Sequence, residues 1–302
     1  RGILSSTPTI RLSDVVAVGE ATIVYDREGN EIDQYVSTNS NRLSVGMDEI
    51  PDYLGKAFVA IEDERFYQHN GIDFKSIIRA GYQFFKTGGE EAQGASTITQ
   101  QLLKNTVFTD WTSEGNNKIK KIKRKIQEQY LALEITKYYS KDEILLRYMN
   151  AINLGQNTLG VESASLRYFG KHCSELTISE CAVIASITQN PSKYNPIRHP
   201  EENVKRREKC LNKMLELGFI SQTQYDEAMA DTDAVYERIG LYDIDYQEAN
   251  ATTGSYFSDA VYEQVKQDLI LSGYNENMAE TLLTSGGLRV ESTLDPKIQA
   301  IL

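Results

Sequence analysis

Three groups of polar residues in this 302-residue chain have types and spacings that could support catalysis. The first is EDERFYQHNG, residues 62–71, in which Glu62 directly follows the apolar run Ala57–Ile61. A carboxylate at the end of such a run can be partly desolvated, which suits a general base. An acidic run is otherwise most often a solvated turn, so the residue types alone leave that interpretation open.

The second group, GASTITQQLLKN, predicts the start of a helix that carries polar side chains on one face. Thr97, Gln101 and Lys104 are spaced i, i+4 and i+7, which places them on the same side of a helix. Lys104 would supply a positive charge for a phosphate, and a helix N-terminus near Ser96 would add oriented amides. Thr97 and Gln100 also fit a capping box, which needs no ligand but leaves Gln101 and Lys104 available.

The third group is a basic segment, residues 118–125, with six Lys or Arg residues in eight positions. Lys121, Arg124, Lys125 and Glu128 would share one face of a helix and bring cations beside a second carboxylate. Such a cluster can offset the charge of an anionic leaving group. The alternative is a solvated charged face, which is the usual fate of a charge run.

In this order and spacing, the three groups resemble the first three motifs of the peptidoglycan glycosyltransferases. These are the lysozyme-like domains of class A penicillin-binding proteins. Residues 139–150 resemble the fourth motif and residues 168–196 the fifth. The chain departs from the family pattern at Leu146, where Glu is common, and at Leu159, where Tyr is frequent, so a structural role is expected for Leu146.

The resemblance implies a set of site residues. Glu62 would be the general base, and Glu128 would be the second catalytic carboxylate. Within the first motif, Asp63 would orient the site, and His69 and Gly71 would shape the turn. The residues expected to bind substrate or its pyrophosphate are Asp63, Phe66, His69, Gly71, Gly94, Ser96, Thr97, Gln101, Lys104, Asn105, Arg124, Lys125 and Asn150. No cofactor is obligatory, and a divalent cation, Mg²⁺ or Mn²⁺, acting with Glu128 is an optional addition.

The activity that the resemblance implies is polymerisation of lipid II into β-1,4 glycan strands, with inversion and release of undecaprenyl pyrophosphate. The partners would be lipid II, the growing glycan chain and the membrane surface. One alternative is a muramidase-like peptidoglycan hydrolase, since lysozymes use a Glu on a similar fold. The cations Lys104, Arg124 and Lys125 weigh against it, because a hydrolase needs no pyrophosphate site. A non-catalytic cell-wall scaffold is the other alternative, and Glu62 and Glu128 weigh against that.

The expected fold class is mainly α, with a lysozyme-like glycosyltransferase domain and a small β linker sheet built from the N- and C-terminal segments. Residues 14–36 alternate in the manner of a β-hairpin, and Leu288–Thr293 predict another strand. Their edges should pair in one sheet, because unpaired edges are a liability. We expect a membrane-proximal segment and hairpin at 1–50, the glycosyltransferase domain at 51–230, and a linker with the start of a truncated transpeptidase region at 231–302.

Composition excludes some functions and leaves others open. The net charge of −11 argues against nucleic-acid binding. The sequence has no run of 18 apolar residues and no signal peptide, and its three cysteines lack metal-ligand spacing. No Ser-x-x-Lys tetrad occurs, so these residues are not expected to bind penicillin.

The expected location of the protein follows from the resemblance and from one apolar segment. Because the chain opens at Arg1 without Met, we expect it to be part of a longer protein, and the resemblance implies an N-terminal transmembrane anchor and a transpeptidase domain. It would lie on the extracytoplasmic face of the bacterial cell membrane. Residues 72–92, which include Ile77, Ile78, Tyr82, Phe84 and Phe85, are the candidate for a membrane-proximal lobe. An amphipathic core helix is the alternative for that segment.

Overall fold

The protein is mainly helical with one small sheet, as the sequence predicts. The computed structural model describes residues 22–35, 43, 45–87, 94–108, 118–156, 158–242, 256–274, 276–295 and 297. The helices are α1 (Asp52–Glu62), α2 (Phe74–Lys86), α3 (Ile98–Thr106), α4 (Lys118–Ile135), α5 (Lys141–Ala151), α6 (Val161–Phe169), α7 (Ile178–Ser186), α8 (Pro200–Glu216), α9 (Gln222–Ala230), α10 (Thr232–Glu237), α11 (Tyr256–Leu271) and α12 (Glu276–Ser285). The strands are β1 (Thr22–Tyr25), β2 (Glu31–Tyr35) and β3 (Arg289–Glu291).

The main hydrophobic core surrounds α7, in which every residue after Ile178 is buried. A helix that is apolar on all sides belongs inside a protein, where other helices can cover each face. Helices α1 and α8 pack against it. Helix α1 contributes Leu54 and Phe58, both fully buried, and then ends at Glu62. The apolar run therefore fixes the helix in the core and delivers a carboxylate to the edge of that core.

The predicted linker sheet is present. Strands β1 and β2 form an antiparallel hairpin, whose turn is stabilised by the Asp26 carboxylate accepting from the amides of Glu28 and Asn30. Strand β3 pairs in parallel with β1, with Val24 opposite Val290, so the strand order is β2-β1-β3. The prediction that the two chain ends share one sheet is confirmed.

Helices in the C-terminal third were not predicted from the sequence. Helix α10 lies in the segment predicted as linker, and its Val235 is fully buried in the main core. Helices α11 and α12 pack against each other and contribute Val261 and Leu283 to a second core beneath the sheet. The Tyr35 hydroxyl donates to the Ser258 carbonyl (2.6 Å) and ties the hairpin to α11.

Helix α2 is the exposed apolar element. It begins with Asp73 as N-cap, and none of its residues is buried. Phe74, Ile78, Tyr82 and Phe85 are each at least 66% exposed. The alternative of an amphipathic core helix is therefore wrong for this segment. Among the described residues, no helix has both the length and the apolar character needed to span a bilayer.

Candidate active site

A cleft of about 500 Å³ brings together residues from α1, α2, α3, α4 and α8. Seven cationic side chains and five carboxylates line it, although the whole chain carries a net charge of −11. The excess of cationic side chains makes the electrostatic potential positive inside the cleft, although the protein as a whole is acidic, and this attracts an anionic ligand. The cleft therefore suits a negatively charged substrate.

Glu62 lies in this cleft as the last residue of α1, with its side chain 9% exposed. Its Oε1 accepts from Arg206 Nη2 (2.7 Å) and Thr188 Oγ1 (2.5 Å), and its Oε2 accepts from Gln101 Nε2 (2.9 Å). The carboxylate is shielded from solvent, as expected at the end of an apolar run, but the groups that surround it are polar. The apolar run before Glu62 is buried in the core, whereas the carboxylate emerges among the hydrogen-bond donors of Arg206, Thr188 and Gln101.

Helix α3 positions Gln101 beside Glu62. Its N-terminus is the predicted capping box, in which Thr97 and Gln100 exchange side-chain and backbone hydrogen bonds. The hydroxyl of Thr97 also donates to the Gly71 carbonyl (2.7 Å), and Thr97 is 1% exposed. Thr97 thus lines the cleft as a structural residue whose hydroxyl is already bonded within the fold. The Tyr148 hydroxyl donates to Gln101 Oε1 (3.3 Å), which orients the amide nitrogen towards Glu62.

Asp63, Phe66, His69 and Gly71 form the turn that follows Glu62. His69 Nε2 donates to the Asp63 carboxylate (2.9 Å), which also accepts from the backbone amide of Ile98 (3.0 Å). Phe66 is fully buried. Gly71 has φ of +86°, and a Cβ there would meet the Ala132 carbonyl of α4, so only glycine fits. Of these residues Asp63 lines the cleft, while the others hold its wall in place.

Three members of the predicted cationic cluster, Arg124, Lys125 and Glu128, meet at the same cleft, whereas Lys121 is exposed and does not line it. Arg124 and Lys125 each donate to one oxygen of Glu128, and the Lys125 contact is 2.9 Å. Lys125 Nζ also donates to Ser96 Oγ (2.8 Å), which links α4 to the loop before α3. Glu128 is fully buried, whereas the Lys125 side chain is 40% exposed. Glu128 therefore organises the two cations, and Lys104 lines the cleft with them.

The optional divalent cation at Glu128 stays a prediction. Both oxygens of this carboxylate already accept from Arg124 and Lys125. Mg²⁺ and Mn²⁺ prefer several oxygen ligands with net negative charge. Among the described residues, no group of three His, Cys, Asp or Glu side chains is arranged to hold a metal ion. The donor set therefore does not fit such a cation, and no chemical step below uses one.

Besides Phe66, His69 and Gly71, two predicted binding residues lie outside the residues that line the cleft. Asn150 is 1% exposed, and its amide both donates to and accepts from the backbone of Val45 (3.0 and 3.1 Å). Its assignment to substrate binding is corrected, because its side chain joins α5 to the segment before α1. Asn105 is on α3 but does not line the cleft, whereas Gly94 does. Leu146 packs against the main core, which confirms its structural role.

The basic face of α8 was not predicted from the sequence. Arg206, Lys209 and Lys213 line the cleft, together with Gln189 from the segment before that helix. The spacing i, i+3 and i+7 in KRREKCLNKM is the signal that could have found them. Arg206 contacts Glu62 directly, and it is the most important omission.

Glu64 forms a second ion-pair cluster at the cleft, with Arg79 (3.1 Å) and Lys213 (3.3 Å). Burial by itself raises the pKa of Glu64, but the hydrogen bonds from Lys213 and Arg79 outweigh it, and the net pKa is lowered. Glu64 is therefore ionised at neutral pH. It serves to hold α2 and α8 on either side of the turn after α1.

Comparisons with known proteins identify the family of this chain. Residues 28–215 match the model of the Transglycosylase family. Penicillin-binding protein 1A of Clostridium perfringens is 38% identical over 98% of this chain, and the match covers 43% of that protein. Penicillin-binding protein 1F of Bacillus subtilis is 37% identical over 91% of this chain and is covered to 35% of its length.

A solved structure is also similar. The crystal structure of penicillin-binding protein 1A from Haemophilus influenzae matches 94% of this chain and 28% of that one, with 23% identity and a TM-score of 0.38. The chain spans less than half the length of the curated relatives named above. The family match covers the turn after α1, the capped helix α3 and the basic helix α4 in one continuous range. The chain belongs to the transglycosylase family.

Proposed function

We propose that this protein polymerises lipid II into β-1,4 glycan strands with inversion at the anomeric carbon. Glu62 takes the proton from the acceptor 4-hydroxyl, and the oxygen attacks the anomeric carbon of the lipid-linked donor glycan. The bond from that carbon to the pyrophosphate oxygen breaks, and undecaprenyl pyrophosphate leaves with the electron pair. The proton remains on Glu62 until solvent removes it.

One observation carries this proposal: one cleft combines the Glu62 carboxylate with a separate, preorganised set of cations. Lys104, Arg124 and Lys125 are attached to α3 and α4, while Glu62 is attached to α1. The base and the leaving-group site therefore belong to different rigid elements. Fixed cations stabilise a departing pyrophosphate without reorganisation at the moment of reaction.

The buried Glu128 gives the cations their fixed geometry. Arg124 and Lys125 would repel each other, and a carboxylate between them compensates part of that repulsion. Lys125 stays 40% exposed, so it can still face a phosphate oxygen from the cleft. A hydrolase that acts on neutral glycan has no use for this arrangement, which weighs against the muramidase-like alternative.

The membrane surface is the proposed location of the reaction, since the donor and acceptor are both lipid-linked. Helix α2 supports this, because Phe74, Ile78, Tyr82 and Phe85 are exposed on a helix that begins beside the cleft at Asp73. Apolar side chains on an amphipathic helix can enter the boundary between headgroups and acyl chains. The extracytoplasmic face of the bacterial membrane is where this substrate would be polymerised.

The proposal is tested by incubating the protein with purified lipid II in detergent and separating the products by size. We expect polymer that lysozyme digests, and we expect a phosphoglycolipid inhibitor such as moenomycin to prevent its formation. Release of disaccharide fragments from preformed peptidoglycan, with no polymer from lipid II, would support the hydrolase instead. No turnover of either substrate by a folded protein would favour the scaffold.

A further inference from the structure

The two oxygens of the Glu62 carboxylate have different surroundings. Oε1 accepts from Arg206 Nη2 at 2.7 Å and from Thr188 Oγ1 at 2.5 Å. The Thr188 hydroxyl lies within hydrogen-bond distance of both Oε1 and the Ala185 carbonyl (2.8 Å), and a carboxylate oxygen, which carries no proton, can only accept from it. Oε2 accepts only from Gln101 among the described residues. Since each carboxylate oxygen has two lone pairs, Oε1 is saturated and Oε2 retains one acceptor position.

Arg206 is itself held in place from two sides. Its Nη1 donates to Gln189 Oε1 (2.9 Å), and its guanidinium lies 4.8 Å from the centre of the Tyr194 ring. The side chain is 11% exposed. Gln189 has φ of +66°, a left-handed conformation that costs free energy in a residue other than glycine. The backbone is therefore strained at Gln189, the residue in the segment before α8 that accepts the hydrogen bond from Arg206.

We infer that Arg206 and Thr188 form a clamp that occupies Oε1 of Glu62 and directs its proton uptake to Oε2. Both are positioning residues, because they act on the acceptor hydroxyl through Glu62. The inference rests on the proposed function, in which Glu62 is the base. It adds which atom of the carboxylate receives the proton and which residues determine that choice.

Other ionisable groups near Glu62 do not reproduce the effect of Arg206. Burial raises the pKa of Tyr148, on α5, far above its ordinary value, and it raises the pKa of Cys210, on α8, to about 12. Both therefore stay neutral in the physiological range. Asp63 bonds with His69 and a backbone amide of α3.

Lys104 also lines the cleft and belongs to the leaving-group cluster. Lys104 and Asp63 are unchanged in the clamp variants, so a difference between the pH profiles of wild type and these variants isolates the clamp.

The test is the pH dependence of kcat/KM for lipid II polymerisation in wild type, Arg206→Gln, Arg206→Lys and Thr188→Val. Loss of a cation in contact with a carboxylate makes protonation easier, so the acid limb of Arg206→Gln should move to higher pH. We expect a move of about one pH unit, which is a roughly tenfold loss on the acid side and a smaller loss at the alkaline plateau. Thr188→Val should move the limb in the same direction by less. Arg206→Lys should keep the wild-type limb.

Lys205→Ala is the matched control, because it removes a cation from the same helix at a side chain that is 68% exposed. It should leave the profile unchanged. An acid limb at the wild-type position in Arg206→Gln would overturn the clamp, whatever the loss in rate. A raised KM with an unchanged profile would overturn it too, since Arg206 would then contact substrate rather than Glu62.

The profile does not depend on the amount of active protein, so partial misfolding of a variant does not obscure the result. The assignment of Glu62 is tested separately by Glu62→Gln in the same assay. Full activity of that variant would refute the base itself. If Glu62→Gln is inactive and the acid limb of Arg206→Gln lies at the same pH as that of wild type, only the clamp is refuted.

Discussion

Arg124→Ala should cost stability as well as activity, because Arg124 is one of the two partners of a fully buried carboxylate. Breaking a buried ion pair by removing one partner typically costs about 3–5 kcal/mol. Glu128 is fully buried, but Lys125 remains on its other oxygen and is 40% exposed. We therefore expect about half of that cost, roughly 2 kcal/mol. At roughly 2 °C per kcal/mol for a chain of this size, Tm should fall by about 4 °C.

The assay is thermal and urea unfolding followed by circular dichroism. Lys121→Ala is the control, since Lys121 is an exposed cation on the same helix, and its effect should stay within about 0.5 kcal/mol. In the double variant Arg124→Ala/Glu128→Gln, the buried negative charge of Glu128 is also removed, so part of the lost stability should be recovered. The reasoning is refuted if Arg124→Ala unfolds at the same temperature as Lys121→Ala, or if the double variant is less stable than Arg124→Ala.

Three further predictions concern Lys104, Gly71 and Asp73. Lys104→Ala should weaken moenomycin binding by about tenfold, through loss of a charge-assisted hydrogen bond to phosphate, and equal affinities by calorimetry would contradict this. Gly71→Ala should destabilise by at least about 2 kcal/mol in urea unfolding, because a Cβ would meet a backbone carbonyl of α4. Gly29 has a similar φ, but a Cβ there would meet nothing, so Gly29→Ala should lower the free energy of unfolding by less. Burial raises the pKa of Asp73, but hydrogen bonds from a backbone amide and Arg65 outweigh it and lower the net pKa. The Asp73 carboxylate therefore stabilises the fold at pH values above its pKa in the unfolded chain, and this stabilisation is lost as pH falls through its lower pKa in the folded protein. The difference in free energy of unfolding between wild type and Asp73→Asn should narrow below about pH 4.

Local hydrogen-bonding patterns were predictable from the sequence. The capping box of Thr97 and Gln100 depends on residues three positions apart, and both of its bonds are present. Glu62 was expected to be partly desolvated because an apolar run precedes it, and this run forms the buried part of α1, which ends at Glu62. In each case the sequence neighbours decide the outcome, so no knowledge of the tertiary fold is needed.

The shared sheet was predictable for a different reason. Strands β1 and β3 are far apart in the sequence, but each is a short alternating segment with an edge to pair. Helices α11 and α12, which cover this sheet, were not predicted. They lie in a segment that was expected to hold a linker and the start of another region. Their role became visible only with Val261 and Leu283 in the second core.

The clamp around Glu62 could not be predicted, because its members are distant in the sequence. Thr188 is 126 positions and Arg206 is 144 positions from Glu62. Each is an ordinary residue in its local context, and only the packing of α1 against α7 and α8 brings them together. Asn150 shows the converse, since its motif suggested binding but its amide pairs with the backbone of Val45.

Glu62→Gln, assayed for lipid II polymerisation, tests most directly whether a single carboxylate in this cleft is the base. The substitution keeps the size of the side chain and removes the proton acceptor. We predict a loss of at least ~10² in rate, typical of removing a general base, in a variant whose cooperative thermal unfolding shows that it is folded. Near-normal polymerisation by a folded Glu62→Gln protein would contradict the assignment of Glu62 and the mechanism built on it.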